Sequence, residues 1–229
     1  MKAIILVSGG MDSCVTVASA KADGYDPSLL HLNYGQRTEK RELKAFHDIA
    51  DHYMIDERLV VDISHLSAIG GSCLTDKNIE IPDANLDNLD IPVSYVPFRN
   101  AHFLSIATSW AEVIGAEFIF IGAVEEDSSG YPDCRPEYYQ VFNQLIEVGT
   151  KSKPSVEIVT PVIKMSKKDV QSSGWIAPVN GQAKTGLPVE VKIGKKLAEI
   201  FKRLPLPLRD DDLYFPNIAG KNRALTTAV

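Results

Sequence analysis

Short apolar runs alternate with longer amphipathic stretches along the first two thirds of the chain, and turn-forming or polar residues separate them. The first run, residues 3–7 (Ala-Ile-Ile-Leu-Val), is continuously apolar with β-branched content, the pattern of a strand buried on both faces. Residues 12–22 follow with good helix formers and a helix-start signal at Asp12 or Ser13. Residues 28–32 repeat the strand pattern. Residues 38–53 set Leu43, Phe46 and Ile49 among charged faces, which predicts an amphipathic helix with Thr38 as its capping candidate. Residues 58–62 predict a third strand, and residues 100–115 a helix carrying Phe103, Leu104, Ile106, Ala107 and Trp110. Residues 117–122 predict another buried strand, 136–148 a helix and 156–159 a short strand. The order strand, helix, strand, helix, strand predicts an α/β fold, a parallel sheet with helices on both sides. No internal repeat is present.

Two stretches break the rhythm. Residues 69–96 carry Gly70-Gly71, Pro82, Pro92 and repeated Asp and Asn, a long loop of the kind that is a lid or disordered. Beyond Lys168 the pattern fades among Pro178, Gly181, Gly186 and Pro188, and only residues 193–204 suggest one further helix, basic and amphipathic, ended at Pro205. The expected organisation is therefore a regular unit over residues 1–169 and a divergent segment over 170–229.

Composition narrows the class. A hydrophobic fraction of 45% and a charged fraction of 24% are ordinary globular values and exclude a disordered, collagen-like or coiled-coil chain. No apolar run approaches the roughly 18 residues of a membrane span, and the five-residue run near Met1 is too short for a secretory core, so a cytoplasmic protein is expected. Cys14, Cys73 and Cys134 are the only cysteines, an odd number without a CxxC pair, which leaves no disulfide framework and no four-cysteine zinc site within the chain. The five histidines show no HxxxH or HExxH spacing and are expected to be structural. Charge is uneven. Residues 1–163 hold 12 basic against 24 acidic residues, and residues 164–229 hold 12 against 6. The acidic part offers no broad track for a polynucleotide.

Chemistry is concentrated where strands end. Ser8-Gly9-Gly10-Met11-Asp12-Ser13 lies between the first strand and the first helix, at the carboxyl end of a strand, where open α/β sheets bind ligands. Two glycines allow a tight bend that brings N–H groups near an anion, the serines add hydroxyl donors, and the helix N-terminus adds partial positive charge. The GxxxxGK[ST] pattern is absent, so this is a phosphate cradle without a loop lysine.

This hexapeptide resembles the PP-loop of the ATP pyrophosphatase superfamily. Further matches follow in unbroken order: Tyr34-Gly35-Gln36-Arg37, Val96-Pro97-Phe98-Arg99-Asn100, and the stretch from Gly122 to Arg135 that contains Asp127, Tyr131, Asp133 and Cys134. Together they are similar to the 7-cyano-7-deazaguanine synthase family over about residues 1–169. The resemblance implies an adenine nucleotide alpha hydrolase-like, Rossmann-like sheet. It also implies a ligase that makes a nitrile from 7-carboxy-7-deazaguanine, ammonia and ATP through adenylated intermediates, in queuosine biosynthesis.

On that resemblance, Ser8, Gly9, Gly10, Asp12 and Ser13 are expected around the ATP phosphates, with Asp12 a Mg²⁺ ligand or loop-orienting carboxylate rather than a base. Arg99 is expected to meet phosphates or the substrate carboxylate as a bidentate fork, and Lys167, with Lys168 beside it, to neutralise pyrophosphate. Asp127, Tyr131, Asp133 and Arg135 are expected to form the base pocket, a carboxylate accepting N–H groups and a tyrosine stacking on the heterocycle. Family members normally close with four cysteines that bind zinc. Residues 170–229 contain none, so no zinc ligands carry over and no metal-ligating residue is assigned. The implied partners are small molecules, with no membrane, no direct nucleic acid and a possible homodimer. The alternatives are another PP-loop adenylating enzyme, a tRNA-thiolating or amide-forming ligase, and a nucleotide-binding regulator without turnover.

Overall fold

The computed structural model describes residues 1–80, 91–124 and 131–165. Five strands alternate with helices: β1 (Lys2–Leu6), α1 (Met11–Ala22), β2 (Asp26–Asn33), α2 (Glu39–His52), β3 (Arg58–Asp62), α3 (His65–Ile69), α4 (Arg99–Ile114), β4 (Phe118–Ile121), α5 (Pro136–Gly149) and β5 (Glu157–Val159). A 3-10 turn, Pro132–Cys134, precedes α5. All strand pairs are parallel, in the order β3-β2-β1-β4-β5. This is the α/β sheet that the periodicity predicts.

β1 sits in the middle because it is apolar on both faces. Ala3, Ile5 and Val7 pack with Val17, Ala18, Phe46 and Ile49 of α1 and α2 in one layer. Ile4 and Leu6 pack with Leu104, Ala107, Phe142 and Ile146 of α4 and α5 in the other. The two-residue alternation of a strand thus turns one five-residue run into the centre of two cores. The chain winds outward from β1 through β2 to β3, then crosses back to place β4 on the other side of β1. That reversal opens a crevice between the carboxyl ends of β1 and β4, the topological switch point of such sheets.

Boundaries differ from expectation by one or two residues. α1 begins at Met11 behind Gly10, and α4 begins at Arg99 rather than at residue 100. The greater difference lies in residues 69–96, expected as a loose loop or lid. α3 occupies the approach to it, and much of the described remainder is tied down. Arg37 donates from Nη2 to the Asp76 and Ile79 carbonyls at 2.7 and 2.8 Å, and its backbone N–H bonds the Leu74 carbonyl at 3.0 Å. Cys73 N–H donates to the Val93 carbonyl at 3.0 Å, closing the segment on itself. These bonds join residues 20 to 42 positions apart, so local turn chemistry gives no sign of them. The expected helix at 193–204 and the expected division near residue 169 lie outside the described residues.

Candidate active site

The bend after β1 is built from short hydrogen bonds. Gly10 N–H donates to Ser8 Oγ at 3.3 Å, Ser13 Oγ donates to the Gly10 carbonyl at 2.8 Å, and the two serine hydroxyls stand 3.5 Å apart. Gly10 is the N-cap of α1 and has no side chain with which to cap the first amides of the helix. Two contacts fix the bend. Gly9 has φ +76°, and a Cβ there would lie 2.6 Å from Ala45 Cβ and 2.8 Å from the Glu42 carbonyl oxygen. A Cβ at Gly122, just after β4, would lie 2.8 Å from the Asp12 carbonyl oxygen. Glycine therefore lets α2 and β4 approach the first turn of α1 from two sides.

A cavity of about 290 Å³ opens at this point, and Ser8, Asp12, Ser13, Tyr34, Glu42 and Arg99 are among its lining residues. Arg99 enters between two aromatic rings. Its guanidinium carbon is 5.3 Å from the Tyr34 centroid and 5.4 Å from the Phe103 centroid, and Nη1 donates to the Tyr34 hydroxyl at 3.4 Å. None of the three ion pairs among the described residues involves it, and its Nε is buried there without a hydrogen-bond partner. Burial opposes the charge, but the nearby Tyr34 hydroxyl, Asp133 carboxyl and Cys134 thiol outweigh it and raise the guanidinium pKa above its ordinary value. The result is a fixed cation in the wall of a cavity also lined by serine hydroxyls.

Tyr131 forms part of the same wall. Its hydroxyl shares a 2.6 Å hydrogen bond with Ser94 Oγ, and burial raises its pKa. Ser72 Oγ donates to the Ser94 carbonyl at 3.1 Å, so the segment pinned by Arg37 also supports Tyr131. Asp133, only 3% exposed, accepts the Asn100 N–H on Oδ2 at 3.1 Å. Its backbone carbonyl accepts from Asn100 Nδ2 at 2.9 Å and from the Tyr139 hydroxyl at 3.1 Å. Burial raises its pKa, against the lowering effects of the Asn100 N–H and Arg99. Asp133 thus acts as a cap for α4 supplied from outside that helix.

Glu42 faces the cavity from α2, held by Gln36 Nε2 at 3.0 Å and by the Thr38 hydroxyl. Gln36 Oε1 in turn accepts the Tyr34 N–H at 2.9 Å. His31, also at the cavity, donates from Nδ1 to the Val7 carbonyl at 2.7 Å, joining the ends of β1 and β2.

The fold brings Ser8, Asp12, Ser13, Arg99 and Tyr131 around one cavity, with Gly9 and Gly10 forming the bend beside it. Asp133 lies behind the wall at the start of α4, and Arg135 is exposed and does not line the cavity. Asp127 and Lys167 lie outside the described residues. Sequence reasoning did not single out Tyr34, Glu42 or Phe103 as site residues. Tyr34 opens the quoted Tyr-Gly-Gln-Arg motif, and the Arg99–Phe103 spacing of four residues on a helix signals their contact. Glu42 has no comparable signal. The three cysteines are buried, and burial pushes the Cys14 thiol up to about 12. Among the described residues no cluster of three or more His, Cys, Asp or Glu side chains could hold a metal ion, and no helix is long and apolar enough to cross a membrane.

Known proteins are similar to this chain in sequence. The family model described as queuosine biosynthesis protein QueC matches residues 2–180. The 7-cyano-7-deazaguanine synthase of Chlorobium phaeobacteroides is 59% identical over 174 residues, 76% of this chain and 77% of the relative. That of Chlorobaculum parvum is also 59% identical over 174 residues, again 76% of this chain and 77% of the relative. Among solved structures, the U34-tRNA thiolase NcsA from Methanococcus maripaludis is similar at 15% identity and a TM-score of 0.43, over 74% of this chain and 55% of that one. With the family match spanning most of its length and carrying the glycine bend, the Tyr34 motif and the Arg99 turn, the chain belongs to the queuosine biosynthesis protein QueC family.

Proposed function

We propose that this protein is a 7-cyano-7-deazaguanine synthase, an ATP-consuming ligase that converts 7-carboxy-7-deazaguanine and ammonia to the nitrile. Its close relatives carry that name, and one feature of the site supports the chemistry most directly. Arg99 is a half-buried cation that forms no salt bridge among the described residues, in the cavity that also contains Ser8 and Ser13. A protein gains little stability from such a group, and an anionic ligand gives it a partner.

A carboxylate resists attack because its departing oxygen would leave as oxide. Transfer of AMP from ATP to that oxygen releases pyrophosphate and creates a good leaving group. Ammonia then displaces AMP and gives the amide. A second ATP adenylates the amide oxygen, and departure of the second AMP with loss of protons leaves the nitrile. One nucleotide site serves both rounds, because each develops charge on the same phosphate oxygens.

In this reading Ser8, Gly9, Gly10 and Ser13 cradle the phosphates with hydroxyls and the first amides of α1, and Arg99 binds the charge that develops on them. Asp12 and Glu42 supply oxygen donors suited to a Mg²⁺ ion that accompanies the triphosphate. Lys167 neutralises departing pyrophosphate. Tyr131 offers its ring to the flat heterocycle, and Asp127 accepts from the guanine-like edge. Asp133 contributes by holding the start of α4. Arg135, exposed on the outer side, meets the acid only if the substrate extends beyond the described wall. The reaction is suited to the cytoplasm, where ATP is plentiful.

The test is AMP formation with the purified protein. AMP appearing only when both ATP and 7-carboxy-7-deazaguanine are present, followed by nitrile once ammonia is added, is expected. ATP binding without AMP formation supports a nucleotide-binding regulator, and AMP formed with tRNA instead of the acid supports a tRNA-modifying relative.

A further inference from the structure

Arg99 is aimed by the residue before it. Phe98 is the N-cap of α4 and adopts φ 57° and ψ 25°, a left-handed conformation that L side chains with a Cβ disfavour. Phe98 is 60% exposed, so its burial offsets little of that strain. Two observed contacts hold the conformation from outside the helix: Phe98 N–H donates to the Tyr95 hydroxyl oxygen at 2.9 Å, and Arg99 N–H closes the turn on the Val96 carbonyl at 3.2 Å. The Tyr95 ring packs 5.5 Å from the Tyr131 ring, centroid to centroid, at 48°. Tyr131 lines the cavity and Tyr95 does not. One side chain therefore touches the cavity wall with its ring and the strained turn with its hydroxyl.

We propose that Tyr95 is a positioning residue: it holds Phe98 in the left-handed conformation that directs Arg99 into the cavity, from a ring braced on Tyr131. It meets neither nucleotide nor acid and acts through Arg99. Loss of its hydroxyl frees the Phe98 backbone to relax toward ordinary helical angles, and the Arg99 stem then turns away from the phosphates. Because its ring leans on Tyr131, a flat molecule pressing on that wall also presses on the support of Arg99. This inference rests on the reading of Arg99 as the group that binds nucleotide phosphates.

The test is a set of ATP affinities with a thermal unfolding curve for each variant. Tyr95→Phe removes only the hydroxyl, and we expect it to weaken ATP binding about fivefold, the effect of one hydrogen bond. Adding Phe98→Gly, a residue at ease in the left-handed region, should restore affinity to within about twofold of wild type. In an Arg99→Met background, Tyr95→Phe should leave ATP affinity unchanged, because its route of action is already gone. The same fivefold loss with and without Arg99 overturns the proposal, as does a double variant that recovers thermal stability but not affinity. An Arg99→Met variant that binds ATP as tightly as wild type defeats the reading of Arg99 itself. Absence of AMP formation from the deazaguanine acid defeats the reaction assignment and leaves the Tyr95 cycle to be decided by affinity.

Discussion

Gly9 and Ala45 lie so close that any side chain at position 9 would collide with α2: the Cβ-to-Cβ distance would be 2.6 Å. The nucleotide bend is thereby part of the packing between two helices, and its shape does not depend on a bound ligand. Gly9→Ala faces both this overlap and a left-handed backbone at φ +76°. We expect it to lower stability by about 2–4 kcal/mol, measured by urea unfolding, because the Glu42 carbonyl on the same side is backbone and cannot step aside.

Arg99→Met separates stability from function. The substitution removes a half-buried charge without breaking an ion pair among the described residues, and it keeps bulk between Tyr34 and Phe103. Unfolding free energy should change by less than about 1 kcal/mol, the scale of the lost cation–π contacts. AMP formation should fall by about 10- to 100-fold, as charge-assisted hydrogen bonds of 1.5–3 kcal/mol predict. A comparable loss in both measurements contradicts a ligand-directed role.

Asp133 gives the protein a specific pH dependence. Its folded-state pKa is raised, mainly by burial, so the folded protein holds this proton more tightly than the unfolded chain does. The associated stability is fully present below the ordinary aspartate range and is lost as pH rises through the raised folded value. Asp133→Asn cannot titrate. The stability of wild type relative to Asp133→Asn should therefore increase as the pH is lowered through the acidic range, in urea unfolding at a series of pH values. A constant difference contradicts the buried placement.

Arg37→Ala should loosen residues 74–79 without unfolding the sheet. Three hydrogen bonds from Arg37 hold the Leu74, Asp76 and Ile79 carbonyls, and two of them come from the side chain. Amide hydrogen exchange in this stretch should accelerate by about tenfold or more, given about 1 kcal/mol for each lost bond, while exchange in β1 and β2 stays as it was.

The layered sheet was legible because its signals are local: residues 3–7 are apolar on both faces, and that run is found at the centre between β2 and β4. The bend was legible for the same reason, since Ser8, Gly9, Gly10 and Ser13 are close in sequence. Glu42 was not, because it faces the cavity through Gln36 and Thr38, whose bonds to it depend on how α2 follows β2. Asp133 shows a different limit. Its position among Tyr131, Cys134 and Arg135 suggests a pocket residue, yet its carboxylate accepts from a backbone amide 33 positions earlier. Residue type and spacing reveal that a carboxylate is present near a strand end, and only the folded chain reveals which N–H it meets.

Adenylyl transfer to the substrate acid is tested most directly by oxygen tracing. With 7-carboxy-7-deazaguanine carrying ¹⁸O in both carboxylate oxygens, each AMP released on the way to the nitrile should contain one ¹⁸O, and pyrophosphate none. Label found in inorganic phosphate or pyrophosphate, or AMP formed without label while nitrile accumulates, would contradict the account.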